Sequence, residues 1–113
     1  MAETATLPDV VVRPREKDAT RTRRLPPFNV ILENDEYHSF QFVIEVLCKA
    51  LGYKEQRAIQ LTDEAHRKGR AIVWTGSKEL AELKVEQMQS FHEIRDNGEK
   101  FGPLGVIIEP APG

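Results

Sequence analysis

The apolar positions come in short patches with distinct periods, and sustained patterning begins only near residue 26. In "RLPPFNVIL", Pro26 and Pro27 stiffen the approach and Phe28 to Leu32 make an unbroken run, the pattern of a buried strand. Phe42, Val43, Val46, Leu47 and Ala50 then recur at spacings of one, three, one and three, which predicts a helix. Ser39 can cap its start, and Gly52 sits where a left-handed residue ends a helix. A second helix is expected from about Glu55 to Lys68, with a narrow stripe of Ala58, Leu61, Thr62 and Ala65, and Gly69 ends it. Arg70 to Thr75, carrying Ile72, Val73 and Trp74, reads as a second strand. Gly76 turns the chain and Ser77 can cap a third helix, predicted to run to about Arg95. That helix would set Ala81, Val85 and Met88 on one line with Leu80, Leu83 and Phe91 beside it, and Glu79 in its first turn favours the dipole. "RDNGEKFGP" reads as a loop, and Leu104 to Glu109 as the last strand.

The predicted order is β-α-α-β-α-β. One face of a small sheet covered by helices would bury every stripe in two layers. The expected class is therefore α+β: a two-layer sandwich with a three-stranded antiparallel sheet against three helices. Residues 26–110 would form the domain. Residues 1–25, without apolar period, read as a disordered N-terminal arm, and residues 111–113 as a flexible C-terminus. The helix pair between the first two strands leaves a groove, walled by the end of strand one and by helix two.

Composition narrows the setting. A chain of 113 residues suggests one domain with a modest core. The net charge of −2 gives no global pull towards nucleic acid or membrane. The charge is uneven, because Arg13 to Arg24 is basic and the remainder acidic, which suits cationic partners. A single cysteine, Cys48, excludes a disulfide framework. No apolar run approaches a membrane span, and the N-terminus lacks the apolar core of a secretory signal. A soluble cytoplasmic protein is expected.

Candidate chemistry concentrates in "VILENDEYHSF", where the strand stops at Glu33, Asn34, Asp35 and Glu36. Enzymatic readings find little. Cys48 has no histidine at helical spacing, His38, His66 and His92 are scattered singly, and no glycine-rich phosphate loop is present. No cofactor or metal is implied. His66 lies one turn beyond Thr62 on helix two, close to its C-terminus. A bland reading makes it an exposed or capping histidine there, and makes Asn34 and Asp35 an Asx turn that starts the helix. A functional reading joins them. Asn34 offers an amide oxygen, Asp35 and Glu36 offer carboxylates, and a neutral His66 offers one acceptor nitrogen. An ammonium has three donors and no acceptor, so this set could satisfy it. Phe40, Val43, Thr62 and Ala65 could line an adjoining apolar pocket. A cation and an apolar group leaving one carbon describe the first residue of a peptide.

With those residues in place, the sequence resembles the ClpS family, adaptors that select N-degron substrates for a Clp unfoldase and protease. The resemblance runs from Pro26 to Pro110 and is carried by "PPFNVILENDEYHSFQFVIEVL", "QRAIQLTDEAHRKGRAI" and "ELAELKV". It implies a non-enzymatic adaptor and a monomer that binds N-degron peptides and a ClpA- or ClpC-type AAA+ unfoldase, with no nucleic acid and no membrane. It implies that Asn34, Asp35 and His66 hold the substrate's α-amino group, and that Glu36 and His38 complete the binding loop. Phe40, Val43, Thr62, Ala65 and Leu104 match the side-chain pocket, and Glu79 and Lys84 the unfoldase-facing surface. The arm matches an extension used in delivery.

The departures from the family pattern are local. The family usually has a second aspartate where Glu36 stands, Thr or Ser at His38, and Met at Phe40. Larger residues, commonly Met and Val, usually stand at Thr62 and Ala65. Each lost buried methylene is worth ~0.8 kcal/mol, so the two truncations either weaken Leu binding or admit a bulkier ring, and Phe40 either refills the space or narrows its mouth. A bulky hydrophobic first residue, with a bias to aromatics, is expected. Two other classes are set against the adaptor. A divergent paralogue could act as a protein-interaction domain through helix three, as in the small α/β domain of the ribosomal stalk protein. A hydrolase using Cys48 has no base to serve it.

Overall fold

The computed structural model describes residues 25–112. All of the expected N-terminal arm except Leu25 lies outside these residues, as does Gly113. The chain runs β1 (Phe28–Glu33), α1 (Phe40–Leu51), α2 (Glu55–Lys68), β2 (Arg70–Gly76), α3 (Lys78–Gln89), β3 (Glu93–Ile94), β4 (Lys100–Phe101) and β5 (Val106–Pro110). The main sheet has the order β2-β1-β5, antiparallel throughout. Three helices and this sheet form the α+β architecture expected from the hydrophobic pattern, and a β3–β4 hairpin is added to it.

β1 is central, which explains its unbroken apolar run. Val30 and Leu32 join the core cluster together with Ala71, Val73 and Val106 of the flanking strands. Ile31 is buried without belonging to that cluster; its ladder partners are Ile72 and Ile107, both exposed. A bulge between Val30 and Ile31 makes Trp74 and Ile72 the consecutive partners on β2.

The helices begin and end where their capping residues dictate. Ser39 accepts a hydrogen bond from the Phe42 N–H at 3.1 Å, and Ser77 from the Leu80 N–H at 3.4 Å. Gly52 and Gly69 close α1 and α2 at φ 73° and 92°, a region that disfavours any side chain. The stripe predicted for α2 is the buried one: Ala58, Leu61, Thr62 and Ala65. On α1 the buried set also includes Ile44, which the predicted spacing omitted.

The third helix is shorter than the expectation of Arg95. The Ser90 hydroxyl donates to the Gln87 carbonyl at 2.6 Å and the helix stops at Gln89. Leu80 and Leu83 are 50% and 43% exposed, so α3 buries only Ala81 and Met88 fully. Glu93 and Ile94, expected in the helix, instead pair with Phe101 and Lys100. Their turn uses Asn97–Gly98, with Gly98 at φ 85° and the Arg95 N–H bonded to the Glu99 carbonyl at 2.8 Å.

Candidate functional site

The end of β1, the loop to α1 and the face of α2 enclose a pocket of about 410 Å³. Asn34, Asp35, Glu36 and His38 reach it from the loop, Phe40 and Val43 from α1, and Thr62, Ala65 and His66 from α2. Polar and apolar candidates chosen from separate parts of the sequence thus share one cavity. Leu32 and Glu33 also line it, although neither was given a binding role from the sequence. Leu32 belongs to the run already read as strand core, so nothing marked it apart.

The loop is held at its start by the Asn34 N–H, which donates to the Gly69 carbonyl at 3.0 Å. The glycine that closes α2 therefore also anchors the loop. Asp35 organises the next turn. One carboxylate oxygen accepts from the N–H groups of Tyr37 and His38, each at 2.8 Å. The other lies 3.0 Å from His38 Nδ1. This is the Asx turn of the bland reading, assigned to Asp35 rather than Asn34. Partial burial pushes the Asp35 carboxyl up, but hydrogen bonds from the His38 N–H, the His38 ring and the Tyr37 N–H outweigh it. Together with the charge of His38 they hold the group below the ordinary carboxylate value.

His38 is equally committed. Its side chain is 4% exposed and stacks on Phe42 with ring centroids 5.2 Å apart. Nε2 lies against the carbonyl of Gly102. Asn34 and His66 differ from it, because both are exposed and neither side chain has a hydrogen bond among the described residues. The His66 ring is met edge-on by Phe40 at 6.1 Å. It borders the pocket.

The apolar part of the pocket is made from α1 and α2. The Thr62 hydroxyl donates to the Ala58 carbonyl at 2.7 Å, so its hydrogen-bonding capacity turns into its own helix. Thr62 and Ala65 then present small apolar surfaces to the cavity, while Phe40 stays partly exposed at its rim. Leu104 is not brought to this cavity. It is 1% exposed within the core, and its carbonyl accepts from the Gln89 side chain at 3.0 Å. Among the described residues no cluster of His, Cys, Asp or Glu could hold a metal ion.

With this geometry in view, comparison with known proteins is decisive. The profile of the family "ATP-dependent Clp protease adaptor protein ClpS" matches residues 23–104. The chain belongs to the ClpS family. The ATP-dependent Clp protease adapter protein ClpS of Edwardsiella ictaluri is 40% identical over 102 residues, covering 88% of this chain and 92% of its own. Its counterpart from Thermosynechococcus vestitus is 39% identical over 83 residues, covering 73% and 86%. A solved structure of Agrobacterium tumefaciens ClpS2 bound to L-phenylalaninamide superposes with a TM-score of 0.64 at 30% identity, covering 76% of this chain and 98% of that one. ClpS proteins are adaptors and not enzymes, so the protein is an N-degron adaptor of a Clp protease.

The surface matched to the ClpS–unfoldase contact lies on α3. Glu79 is exposed in the first turn, and the Lys84 ammonium sits 5.8 Å from the centre of the Trp74 ring. Glu79, Glu82 and Glu86 surround the exposed Leu83 in a shallow depression. No helix among the described residues is long and apolar enough to cross a membrane.

Proposed function

We propose that the 410 Å³ pocket receives the first residue of an N-degron protein. Asn34 and His66 take the α-ammonium, since both border the pocket, are exposed and have no side-chain hydrogen bond among the described residues. Asp35 contributes negative charge and the shape of the loop, because both of its carboxylate oxygens already accept hydrogen bonds within it. Glu36 adds a second carboxylate at the mouth. The first side chain enters between Val43, Phe40, Thr62 and Ala65. With small residues at 62 and 65, and an aromatic at 40, the space favours Phe, Tyr or Trp. The relative solved with L-phenylalaninamide supports an aromatic first residue here. Cargo passes to a ClpA- or ClpC-type AAA+ unfoldase through the α3 surface that carries Glu79 and Lys84. The adaptor acts as a cytoplasmic monomer, with residues 1–25 as the delivery arm.

The observation that carries this reading is the meeting of Asn34 and His66 with Thr62 and Ala65 in one cavity. An ammonium and an apolar side chain on the same carbon need those two surfaces adjacent. Fluorescence anisotropy with a Phe-first peptide and its N-acetylated twin tests it. Hydrogen bonds to a charged group are worth ~1.5–3 kcal/mol each, so acetylation should weaken binding by about 100-fold. Equal affinity for both peptides rejects the amine site.

A further inference from the structure

We propose that the β3–β4 hairpin is a positioning element for the amine-binding loop, and that His38, Glu93 and Arg95 are its positioning residues. The inference rests on the peptide-binding reading above and deepens it. Three successive loop residues are tied to the hairpin segment. The Tyr37 carbonyl accepts from the Arg95 guanidinium. His38 Nε2 donates to the Gly102 carbonyl. The Ser39 N–H donates to a Glu93 carboxylate oxygen at 2.9 Å. The hairpin is braced in turn. Arg95 Nε lies 3.3 Å from the other Glu93 oxygen, and its guanidinium packs 4.1 Å above the Phe101 ring.

Burial makes these contacts purposeful. Glu93 is only 9% exposed and the His38 side chain 4%. Glutamate is rarely buried unless it is paired, and here both carboxylate oxygens have partners from the loop and the hairpin. Partners also surround the His38 ring. Asp35 Oδ2 and the Gly102 carbonyl are both acceptors, so a ring with an N–H on each nitrogen satisfies both, and a neutral ring leaves one lone pair facing an oxygen. The ring lies against Asp35 Oδ2 and stacks on Phe42, with the Glu93 carboxylate nearby.

The consequence falls on Asn34. Its backbone is held by the Gly69 carbonyl on one side, and the residue after it, Asp35, is held through His38. The latch fixes the loop before peptide arrives, so less ordering is charged to binding. It also explains why the position matched by Thr or Ser in the family carries an imidazole here: the longer side chain spans from Asp35 to Gly102.

Full-length wild type, His38→Ala and Glu93→Gln should be compared by three measurements: anisotropy with free and acetylated Phe-first peptides, amide hydrogen exchange, and urea unfolding. His38→Ala should weaken the free peptide about tenfold. It should also reduce the preference for free over acetylated peptide, a ratio that general destabilisation leaves alone. The Tyr37, His38 and Ser39 amides should exchange at least about tenfold faster, with β1 and β2 unchanged. Glu93→Gln, which keeps the acceptor for Ser39 but loses the charge, should act in the same direction more weakly. It replaces His38→Ala if that variant unfolds early in urea. Unchanged loop exchange, or unchanged affinity and selectivity in a loosened loop, overturns the proposal. A wild type that binds neither peptide rejects the peptide site instead, and the exchange comparison still decides whether the hairpin holds the loop.

Discussion

The loop from Asn34 to Ser39 and the face of α2 border the same pocket, yet they use their polar groups in opposite ways. In the loop, Asp35, His38 and the backbone of Tyr37 and Ser39 are bonded to one another or to the hairpin segment. On α2, Thr62 turns its hydroxyl into the helix and the His66 ring has no hydrogen bond among the described residues. The loop is thus a frame built from polar contacts, whereas α2 is a wall of small apolar surface ending in one idle imidazole. Among polar residues at a site, those already satisfied shape it and those left over do its binding. Within the frame, Asn34 has its backbone anchored while its side chain, like that of Glu36, has no hydrogen bond among the described residues.

The largest effect should come from removing the available groups. Asn34→Ala with His66→Ala takes away the two groups assigned to the ammonium, and should weaken a Phe-first peptide by at least about 100-fold. Both residues are exposed, so the urea midpoint should barely move, since surface substitutions usually stay within ~0.5 kcal/mol. Isothermal calorimetry beside urea unfolding checks both halves. Wild-type affinity in the double variant would move the binding role back to the frame.

Much of this contrast was legible in the sequence. The stripe Ala58, Leu61, Thr62 and Ala65 predicted the buried face of α2 residue for residue, because helical period and burial are the same constraint read twice. Gly52, Gly69, Ser39 and Ser77 marked helix ends correctly, because each has a specific backbone reason to be there. The frame was far less legible. Glu93 fell inside the predicted third helix, and nothing in its neighbours announces that it meets Ser39 across 54 positions. Two-residue strands carry no period to detect. One signal was available, since Asn97-Gly98 is a strong hairpin turn pair. Leu104, which resemblance matched to the pocket, is buried in the core and is not among the residues that line the cavity.

A moderate effect is expected from acid, and it should be confined to the frame. Burial pushes both Asp35 and Glu93 up, but their hydrogen bonds and neighbouring charges hold them below the ordinary values of 3.8 and 4.5. For Glu93 those opposing influences are the Ser39 amide and hydroxyl and the charges of Arg95 and His38. A carboxylate with a lowered folded pKa adds stability that is fully present above its unfolded value and is lost as pH falls through the folded one. The loop contacts should therefore hold at neutral pH and loosen only in acid, below those ordinary values. NMR of the Tyr37, His38 and Ser39 amides should show their shifts moving together there, with the buried Val30 and Ile31 amides of β1 unaffected. Independent movement would separate Asp35 from Glu93 and split the frame in two.

The smallest effect should belong to Thr62→Val. The hydroxyl donates to the Ala58 carbonyl, which keeps its helical N–H partner when the hydroxyl is gone. The replacement methyl occupies nearly the same volume, so the cavity keeps its shape. If α2 offers the ligand only apolar surface at this position, affinity for a Phe-first peptide should change by less than about threefold, roughly half a kcal/mol. A tenfold loss would mean that the hydroxyl leaves its helix to meet the peptide. Thr62 would then belong with His66 among the available groups, and the apolar part of the α2 wall would shrink to Ala65.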